Sequence, residues 1–378
     1  MKPITVLVGG DLAPTISNFS HFIEGNIKAL IDDKLLSVIH SADYRIFNLE
    51  VPLTDTEKPI KKAGPNLIAP GSTINGIKLI KPSLIGLANN HILDQDEQGL
   101  TNTIELLRKN EINIVGAGKN LTDAAKPVII EKEQIKIGIY ACAEHEFSIA
   151  EENKLGVNPF DPLESLDHIQ NLKSSCDFVI VLYHGGKEHY RFPSPYLQKT
   201  CRKIIDKGAD AVICQHSHCI GSFENHSKGI IIYGQGNFLF DRRNNEFWNT
   251  SLLLKFTFDH GMALDFIPIS KKGIGIELPE ENLRESILKE FYARSAKIKD
   301  SDFIENEYQR FCQENSQYYL ATFAGFGRIL RKADSILNGL FTKMIFSSRK
   351  LSLLENYVEC EAHRELILNF LRSTRKKL

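Results

Sequence analysis

Short runs of apolar, often β-branched residues alternate with amphipathic segments over residues 1 to about 270. Several runs are continuously apolar, which is typical of strands covered on both faces of a sheet. The alternation predicts an α/β domain with layered sheets and helices. The predicted strands are 4–8, 44–49, 83–87, 112–115, 128–130, 135–142, 178–183, 211–214, 229–233, 251–258 and 263–269. The predicted helices are 98–110, 163–174 and 195–207.

The pattern changes beyond about residue 271. Residues 271–275, Lys-Lys-Gly-Ile-Gly, are typical of a linker, and segments 280–298, 303–314, 323–346 and 351–371 have helical periodicity. We therefore predict an α/β domain at residues 1–270 and a helical extension at residues 271–378. In 323–346, cationic side chains dilute the apolar stripe. That pattern favours a helix packed on its own core, with a helix that binds a membrane surface or a protein as the alternative.

The composition is that of an ordinary globular protein, with 42% hydrophobic and 25% charged residues. A formal net charge of −1 gives no electrostatic basis for wrapping nucleic acid. Seven scattered cysteines predict reduced thiols rather than a disulfide scaffold. We see no signal peptide and no apolar run long enough to span a bilayer, so we expect a cytoplasmic protein.

Metal-ligating side chains stand at the ends of five predicted strands. Each alone is typical of a turn, a cap or a solvated side chain, but ligands of open α/β sheets bind at the carboxyl ends of the strands. The repetition therefore predicts one site with oxygen and nitrogen ligands for two neighbouring divalent cations, with one carboxylate left to bridge them. In chain order the strand ends carry Asp11, Glu50, Asn90 with His91, His184, and His216 with His218.

Two details of this site depend on the local backbone. The Gly-Gly pair before Asp11 predicts a sharp turn. An extended backbone through His216 and His218 would project both imidazoles to one side. An alternative is a structural zinc site of Cys214, His216, His218 and Cys219, but no second Cys/His pair at zinc-site spacing accompanies it.

These motifs resemble those of the poly-γ-glutamate capsule-biosynthesis (CapA-type) family. The resemblance covers roughly residues 1–270 in family order, and it implies the four-layer α/β-β/α sandwich of the calcineurin-like metallophosphatase superfamily. The matching segments are Gly-Gly-Asp at 9–11, Asn-Leu-Glu-Val-Pro-Leu-Thr at 48–54, Leu-Ala-Asn-Asn-His-Ile-Leu-Asp at 87–94, His-Gly-Gly-Lys-Glu at 184–188, His-Ser-His at 216–218 and Tyr-Gly-Gln-Gly-Asn-Phe at 233–238.

The resemblance also implies roles for individual residues. One divalent cation (manganese, iron or zinc) would be held by Asp11, Glu50 and His218. The second would be held by Glu50, Asn90, His184 and His216, so that Glu50 bridges the pair. His91 would donate a proton to the leaving group. Glu188, Asn237 and Arg242 are candidates for substrate contacts or for supporting the ligands.

The leading interpretation is a dinuclear metal-dependent hydrolase of a phosphoester or amide bond. Its substrate would be a small molecule or a polymer of capsule or surface-polymer metabolism. The alternative is a non-catalytic accessory protein of capsule or poly-γ-glutamate assembly whose metal site is vestigial. Retention of every implied ligand favours the hydrolase, because a scaffold has no need for unpaired buried histidines. We expect no nucleic-acid partner.

Overall fold

The structure is a computed structural model that describes residues 3–241 and 245–375. Its strands are β1 (Ile4–Ala13), β2 (Tyr44–Leu49), β3 (Leu84–Gly86), β4 (Asn113–Val115), β5 (Ala117–Gly118), β6 (Val128–Lys132), β7 (Ile135–Ala143), β8 (Gly156–Val157), β9 (Phe178–His184), β10 (Ala211–Gln215), β11 (Phe223–His226), β12 (Gly229–Ile232), β13 (Asn237–Phe240), β14 (Thr250–Phe258), β15 (Met262–Lys272) and β16 (Gly275–Glu277).

The helices include the three that the periodicity predicts in the first 270 residues, each within two residues of its expected ends. In chain order they are α1 (Phe19–Ile23), α2 (Asp33–Ser41), α3 (Ile74–Ile77), α4 (Asp96–Lys109), α5 (Leu121–Ala124), α6 (Ser165–Lys173), α7 (Pro195–Asp206), α8 (Glu281–Lys297), α9 (Ser301–Phe323), α10 (Arg328–Ile336), α11 (Leu340–Ile345), α12 (Ser348–Glu359) and α13 (Glu361–Arg375). None of the described helices has both the length and the apolar content needed to cross a bilayer.

The strands form two large sheets. The eight-stranded sheet has the order β16-β15-β14-β1-β2-β3-β4, and β13 pairs with β1 outside this order. The six-stranded sheet has the order β11-β12-β10-β9-β7-β6. Strands β1 to β4 are mutually parallel, as are β7, β9, β10 and β12. Their carboxyl ends therefore lie at one edge of each sheet, which is the edge where such sheets bind ligands.

Successive side chains of β9 divide between two hydrophobic clusters, as the pleat requires. Ile180 and Leu182 belong to the larger cluster, which contains side chains of both sheets and of helices α2 and α4. Val179 and Val181 pack instead with apolar residues of α6 and α7. The continuously apolar strand is thus covered on both faces. The predicted fold class, an α/β sandwich of two sheets with flanking helices, is confirmed.

The first strand differs from its prediction because it does not turn at the Gly-Gly pair. Strand β1 continues through Gly10 and Asp11 to Ala13 and pairs in parallel with β13 along its last residues. A Cβ atom at Gly10 would lie 1.9 Å from the carbonyl oxygen of Gly236. Glycine is therefore required here for the close approach of two strands, and Asp11 lies within the sheet.

The prediction of a linker at residues 271–275 is wrong. This stretch is a hairpin turn in which β16 pairs with β15, with Gly273 at φ 58°. Helix α8 then packs on the sandwich through Phe291, which is 0% exposed and whose ring lies 5.1 Å from that of Phe223. The first compact unit consequently extends to Ile304, beyond the expected boundary at residue 270, and Glu305 begins a second unit.

Within the second unit, both long predicted helices are interrupted. The predicted helix 323–346 is broken between α10 and α11, where Asn338 and Gly339 have φ of 51° and 77°. The predicted helix 351–371 is broken at Cys360. The left-handed backbone at Asn338 and Gly339 and the extended backbone at Cys360 each end a helix, so the apolar periodicity of these segments runs over shorter helices.

Candidate metal centre

The structure brings the six candidate ligands together at the common edge of the two sheets. The eight-stranded sheet contributes Asp11 on β1, Glu50 directly after β2 and Asn90 in the turn after β3. The six-stranded sheet contributes His184 at the end of β9, and His216 and His218 directly after β10. Register pairs Asp11 with Asn48 and His184 with Gln215, which aligns the strand ends. Residues at or near the carboxyl ends of five strands thus converge, with Asp11 two residues before the end of β1.

The ligand atoms form two overlapping groups. Within the set Asp11, Glu50 and His218, one atom from each residue lies within 4.8 Å of the others. The same holds for Glu50, His184 and His216. Asn90 adjoins the second group, since its Oδ1 lies 3.1 Å from Nε2 of His184. Glu50 is common to both groups, which is the arrangement implied by the family resemblance.

The carboxylate of Glu50 is the most unusual group of this edge. Its side chain is fully buried, and neither oxygen has a hydrogen-bond donor among the residues that the structure describes. Its Oε1 lies 3.9 Å from Nε2 of both His184 and His218. Burial, followed by the charge of Asp11, raises the pKa of Glu50 well above its usual value. A buried carboxylate without compensation costs several kcal/mol, so this donor set fits divalent cations.

The titratable neighbours are held in their metal-binding forms. Burial and His216 lower the pKa of His184, and burial and His218 lower the pKa of His216, so both imidazoles are neutral near pH 7. Burial raises the pKa of Asp11, but contacts led by its hydrogen bond with His218 outweigh burial and leave this pKa well below its usual value. Asp11 is therefore an anionic ligand candidate.

The backbone through the paired histidines is not extended, so that expectation is wrong. His216 and His218 have φ of 84° and 55°, both in the left-handed region. Such a conformation costs a non-glycine residue on the order of 1 kcal/mol. It turns the chain so that the amide nitrogen of His216 approaches Oδ2 of Asp11 at 3.4 Å while the two imidazoles enter different ligand groups. Backbone strain stored at this point is typical of a functional site.

His91 lies apart from the two ligand groups. Its Nδ1 is 2.6 Å from Oδ2 of Asp94, which also pairs with the buried ammonium of Lys62. Asn89 fixes the turn, because its Oδ1 accepts hydrogen bonds from the backbone amides of His91 and Ile92 at 3.1 and 2.9 Å. The ring is 12% exposed. Since Nδ1 faces Asp94, Nε2 is the ring nitrogen left for other contacts.

The candidates for substrate contacts have different surroundings. Glu188 is half-buried, and although burial raises its pKa, the charges of His216 and His218 lower it overall. Asn237 contacts a candidate ligand directly, because its Oδ1 lies 2.8 Å from Nδ1 of His218. Arg242 lies outside the described residues. Glu188 is thus the candidate with a side chain at the rim of the site, and Asn237 holds a histidine in place.

Sequence reasoning missed three supporting residues. The Nδ2 of Asn90 donates to Oε2 of Glu146 at 2.7 Å, which fixes the amide with its oxygen towards His184. The Nδ2 of Asn48 donates to Oδ1 of Asp11 at 2.7 Å. Glu146 follows β7, another strand that ends at this edge, so the strand-end rule could have found it. No sequence signal marks Lys62, which reaches Asp94 from a long loop.

The alternative of a structural zinc site is wrong. The Sγ of Cys214 lies 3.6 Å from that of Cys201, in the hydrophobic cluster beneath α7. The Sγ of Cys219 contacts the backbone oxygen of Tyr190 at 3.8 Å. Neither thiol joins a candidate metal group among the described residues. The left-handed backbone at His216 turns the chain directly after β10, so Cys214 stays in the cluster while the histidine side chains enter the candidate ligand groups.

Comparison with known proteins identifies the family. The profile described as "Bacterial capsule synthesis protein PGA_cap" matches residues 5–242, and the chain belongs to this family. The capsule biosynthesis protein CapA of Bacillus anthracis is 29% identical over 242 residues, which are 61% of this chain and 59% of that protein. The PGA biosynthesis protein CapA of Bacillus subtilis (strain 168) is 30% identical over 211 residues, 54% of this chain and 55% of that protein.

A third relative carries a different description. The "Probable polyglutamine synthesis accessory protein" of Mycobacterium tuberculosis (strain H37Rv) is 27% identical over 215 residues, 53% of this chain and 56% of that protein. The chain therefore spans less than two thirds of the length of each of these relatives. The family resemblance seen in the motifs is confirmed.

Two solved structures from Thermus thermophilus resemble the chain at low identity. A hypothetical protein is 12% identical with a TM-score of 0.43, and the alignment covers 70% of this chain and 99% of that one. A 5'-nucleotidase precursor is 12% identical with a TM-score of 0.38, and the alignment covers 77% of this chain and 58% of that one.

Proposed function

We propose that this protein is a dinuclear metal-dependent hydrolase that cleaves a phosphoester or an amide bond in capsule or surface-polymer metabolism. The observation that carries the proposal is the carboxylate of Glu50. It is fully buried, has no hydrogen-bond donor among the described residues, and is shared by two groups of histidine and carboxylate ligands. A buried charge in this setting needs positive charge nearby, and a bridging position between two cations provides it.

The ligand sets suit manganese, iron or zinc, since they combine imidazole with carboxylate and amide oxygens and contain no thiolate. Asp11, Glu50 and His218 would hold one cation, and Glu50, Asn90, His184 and His216 the other. When bound, the cations would supply Lewis-acid activation of a water molecule and of the scissile group.

The residues around the ligands keep them in position. Asn48 donates to Asp11, Asn237 contacts Nδ1 of His218, and Glu146 orients the amide of Asn90. Such supporting contacts fix the donor atom of each ligand, and their loss typically weakens metal affinity 10–100-fold. The site is therefore organised before any cation arrives, which reduces the cost of binding.

His91 is suited to donate a proton to the leaving group. Its Nδ1 is occupied by Asp94, which orients the ring, and the ammonium of Lys62 balances the charge of Asp94. In the reaction that we propose, the proton passes from Nε2 to the oxygen or nitrogen that departs with the cleaved bond. A positioned proton donor of this kind contributes about 10²–10⁴ in rate.

The second candidate function is that of a non-catalytic accessory protein of poly-γ-glutamate or capsule assembly. It is supported by the description of the mycobacterial relative as an accessory protein. The two functions differ in what they require of the ligand edge. A hydrolase needs both cations and a proton donor, whereas an assembly factor needs neither.

Metal content and turnover, measured on the same preparation, test the proposal. The protein is stripped with a chelator, reloaded with manganese, freed of excess metal and assayed on nitrophenyl phosphates and on a γ-glutamyl anilide. We expect about two equivalents of metal, and turnover of one substrate class that chelation abolishes and manganese restores. Full activity in the stripped protein would contradict the metal-dependent mechanism. Metal binding without turnover on either class would favour the accessory function.

A further inference from the structure

A stretch of the second unit, residues 315–354, is strongly basic although the whole chain has a formal net charge of −1. It contains one acidic side chain, Asp334. Its cationic side chains are Arg328, Arg331, Lys332, Lys343, Arg349 and Lys350. We call residues 328–350, which contain all six cations, the basic segment.

The single acid of this stretch does not offset the cations at the surface. Asp334 is 0% exposed, and its Oδ1 accepts hydrogen bonds from the backbone amides of Phe341 and Thr342 at 2.8 and 3.2 Å. Its Oδ2 accepts from the hydroxyl of Thr342. The carboxylate thus caps the start of α11 from inside the unit. The charges that the basic segment presents to solvent are consequently all positive.

The same segment exposes large aliphatic side chains. Ile329 and Ile336 are 88% and 73% exposed, and their spacing of seven residues places them on one face of α10. Met344 on α11 is 75% exposed. Arg328 and Lys332, one turn apart on the same helix, lie beside this face. An exposed aliphatic stripe flanked by cations is the pattern of helices that lie in a membrane interface.

We propose that the basic segment docks this protein on the surface of an anionic lipid bilayer. A bilayer interface accepts both features at once, because the aliphatic side chains enter the boundary of the acyl chains while the cations stay at the anionic headgroups. A nucleic acid would satisfy the cations and leave Ile329, Ile336 and Met344 in water. The proposal does not depend on the metal centre or on its chemistry.

The part of α12 beyond Lys350 and helix α13 provide an internal contrast. Helices α12 and α13 also expose apolar side chains, with Leu366 and Phe370 at 68% and 63%. Their charges are mixed, however, because acids and cations nearly balance: the sequence there contains Glu355, Glu359, Glu361 and Glu365 as well as Arg364, Arg372 and Arg375. Acidic side chains are repelled by an anionic surface, so exposed apolar residues there are not expected to contribute. They supply a matched control for hydrophobicity alone.

Vesicle flotation of the full chain tests the proposal. The probes are vesicles of phosphatidylcholine and vesicles that contain phosphatidylcholine and phosphatidylglycerol in equal parts. We expect binding to the anionic vesicles, weakened by salt, and little binding to the zwitterionic ones. Each surface cation contributes about fivefold to partitioning, so the double variant Arg328→Gln/Lys332→Gln should bind at least tenfold more weakly. Ile329→Ser/Ile336→Ser should lose binding to a similar degree. Leu366→Ser/Phe370→Ser should bind within twofold of the parent.

Several results would overturn the proposal. Equal binding to both kinds of vesicle, or binding that salt does not weaken, would show that anionic lipid is not recognised. A control variant that binds as poorly as the basic-segment variants would assign the effect to general hydrophobicity. Concentration-dependent self-association in sedimentation velocity, without vesicle binding, would assign the face to a second copy of the chain. The salt and lipid dependence of the unmodified protein decides the question even if a variant loses helix content in circular dichroism.

Discussion

The strand-end edge of the sandwich and the C-terminal helices are unusual in opposite ways. The edge buries a charged group, and the helices expose large apolar side chains. At the edge, a carboxylate is buried without a donor among the described residues. In the helices, Ile329 is 88% exposed. Interiors normally exclude unpaired charge, and exposed large aliphatics are informative when they cluster. Each departure costs free energy in the isolated chain, so each is best explained by something that the chain binds.

The two regions also differ in whether neighbouring residues hold their unusual side chains in place. At the strand ends, Asn48, Glu146 and Asn237 hold the candidate ligand side chains, so the polar groups are fixed in place. In the helices, Asp334 is drawn inward to cap α11, and the exposed side chains are left without such support. The catalytic site that we propose requires fixed geometry, whereas docking on a fluid lipid surface, as we propose for the helices, does not.

The largest expected effect comes from cutting the chain on either side of α8. A chain that ends at Ile304 should fold and bind metal like the full protein, because its compact unit is complete. A chain that ends at Gly273 should fail to fold, since it loses β16 and the buried Phe291 of α8. Removing one buried phenylalanine ring costs about 3–5 kcal/mol, a large share of the stability of most domains. Thermal unfolding and metal content measure both. A folded, metal-loaded chain ending at Gly273 would show that β16 and α8 are not needed by the unit that contains the strand-end edge.

Replacing Glu50 should separate metal binding from stability. Glu50→Gln should lose at least one metal equivalent and most turnover. In the absence of metal, its free energy of unfolding should nevertheless be about 1–3 kcal/mol higher than that of the parent, because an uncompensated buried charge is gone. Denaturant unfolding after chelation gives the difference.

Glu224 is the matched control for Glu50. It is also a buried acid, but Arg202 binds both its oxygens at 2.9 and 2.7 Å. Glu224→Gln should therefore destabilise the protein by about 1–3 kcal/mol and leave metal content unchanged. If both variants lowered stability and neither changed metal binding, the buried charge of Glu50 would have a structural role only.

The proton-donor role of His91 predicts an effect that depends on the leaving group. His91→Ala should lower turnover of a substrate with a poor leaving group by about 10²–10⁴. It should affect a nitrophenyl ester much less, since nitrophenolate departs without a proton. Metal content should stay the same. His226→Ala, which alters a histidine paired with Asp206 on the surface, is the control. Equal losses on both substrates, or a lost metal equivalent, would place His91 among the ligands or in the framework.

The smallest effect concerns the support of a single ligand. Glu146→Ala should weaken metal affinity by about 10–100-fold, because the amide of Asn90 loses the partner that orients it. The exposed acid Glu152, six residues further on, provides Glu152→Ala as a control for the charge of this loop. Metal titration with a competing chelator distinguishes the two variants. Similar affinities would mean that the turn after β3 holds Asn90 without help.

The sequence by itself determined most of the elements and most of the side chains that meet at the strand-end edge. Apolar runs are bounded by the same residues that end the strands, so periodicity located eleven of the fourteen strands of the two sheets and missed β11, β13 and β16. Asp11, Glu50, His184 and the two histidines after β10 were found because parallel strands end at a common edge, and a residue's place in its strand can be read from the sequence. Five polar strand ends in one chain carried that inference.

Only the tertiary structure decided contacts between residues far apart in sequence. The sequence predicts a turn at Gly10, but the structure places Gly10 against Gly236. The sequence predicts a linker at residues 271–275, but the structure pairs β16 with β15 there. The left-handed backbone of His216 and the contact of Glu146 with Asn90 likewise depend on packing against other strands. Local propensity cannot report such contacts, because their free energy arises from close packing and pairing that exist only after the chain has folded.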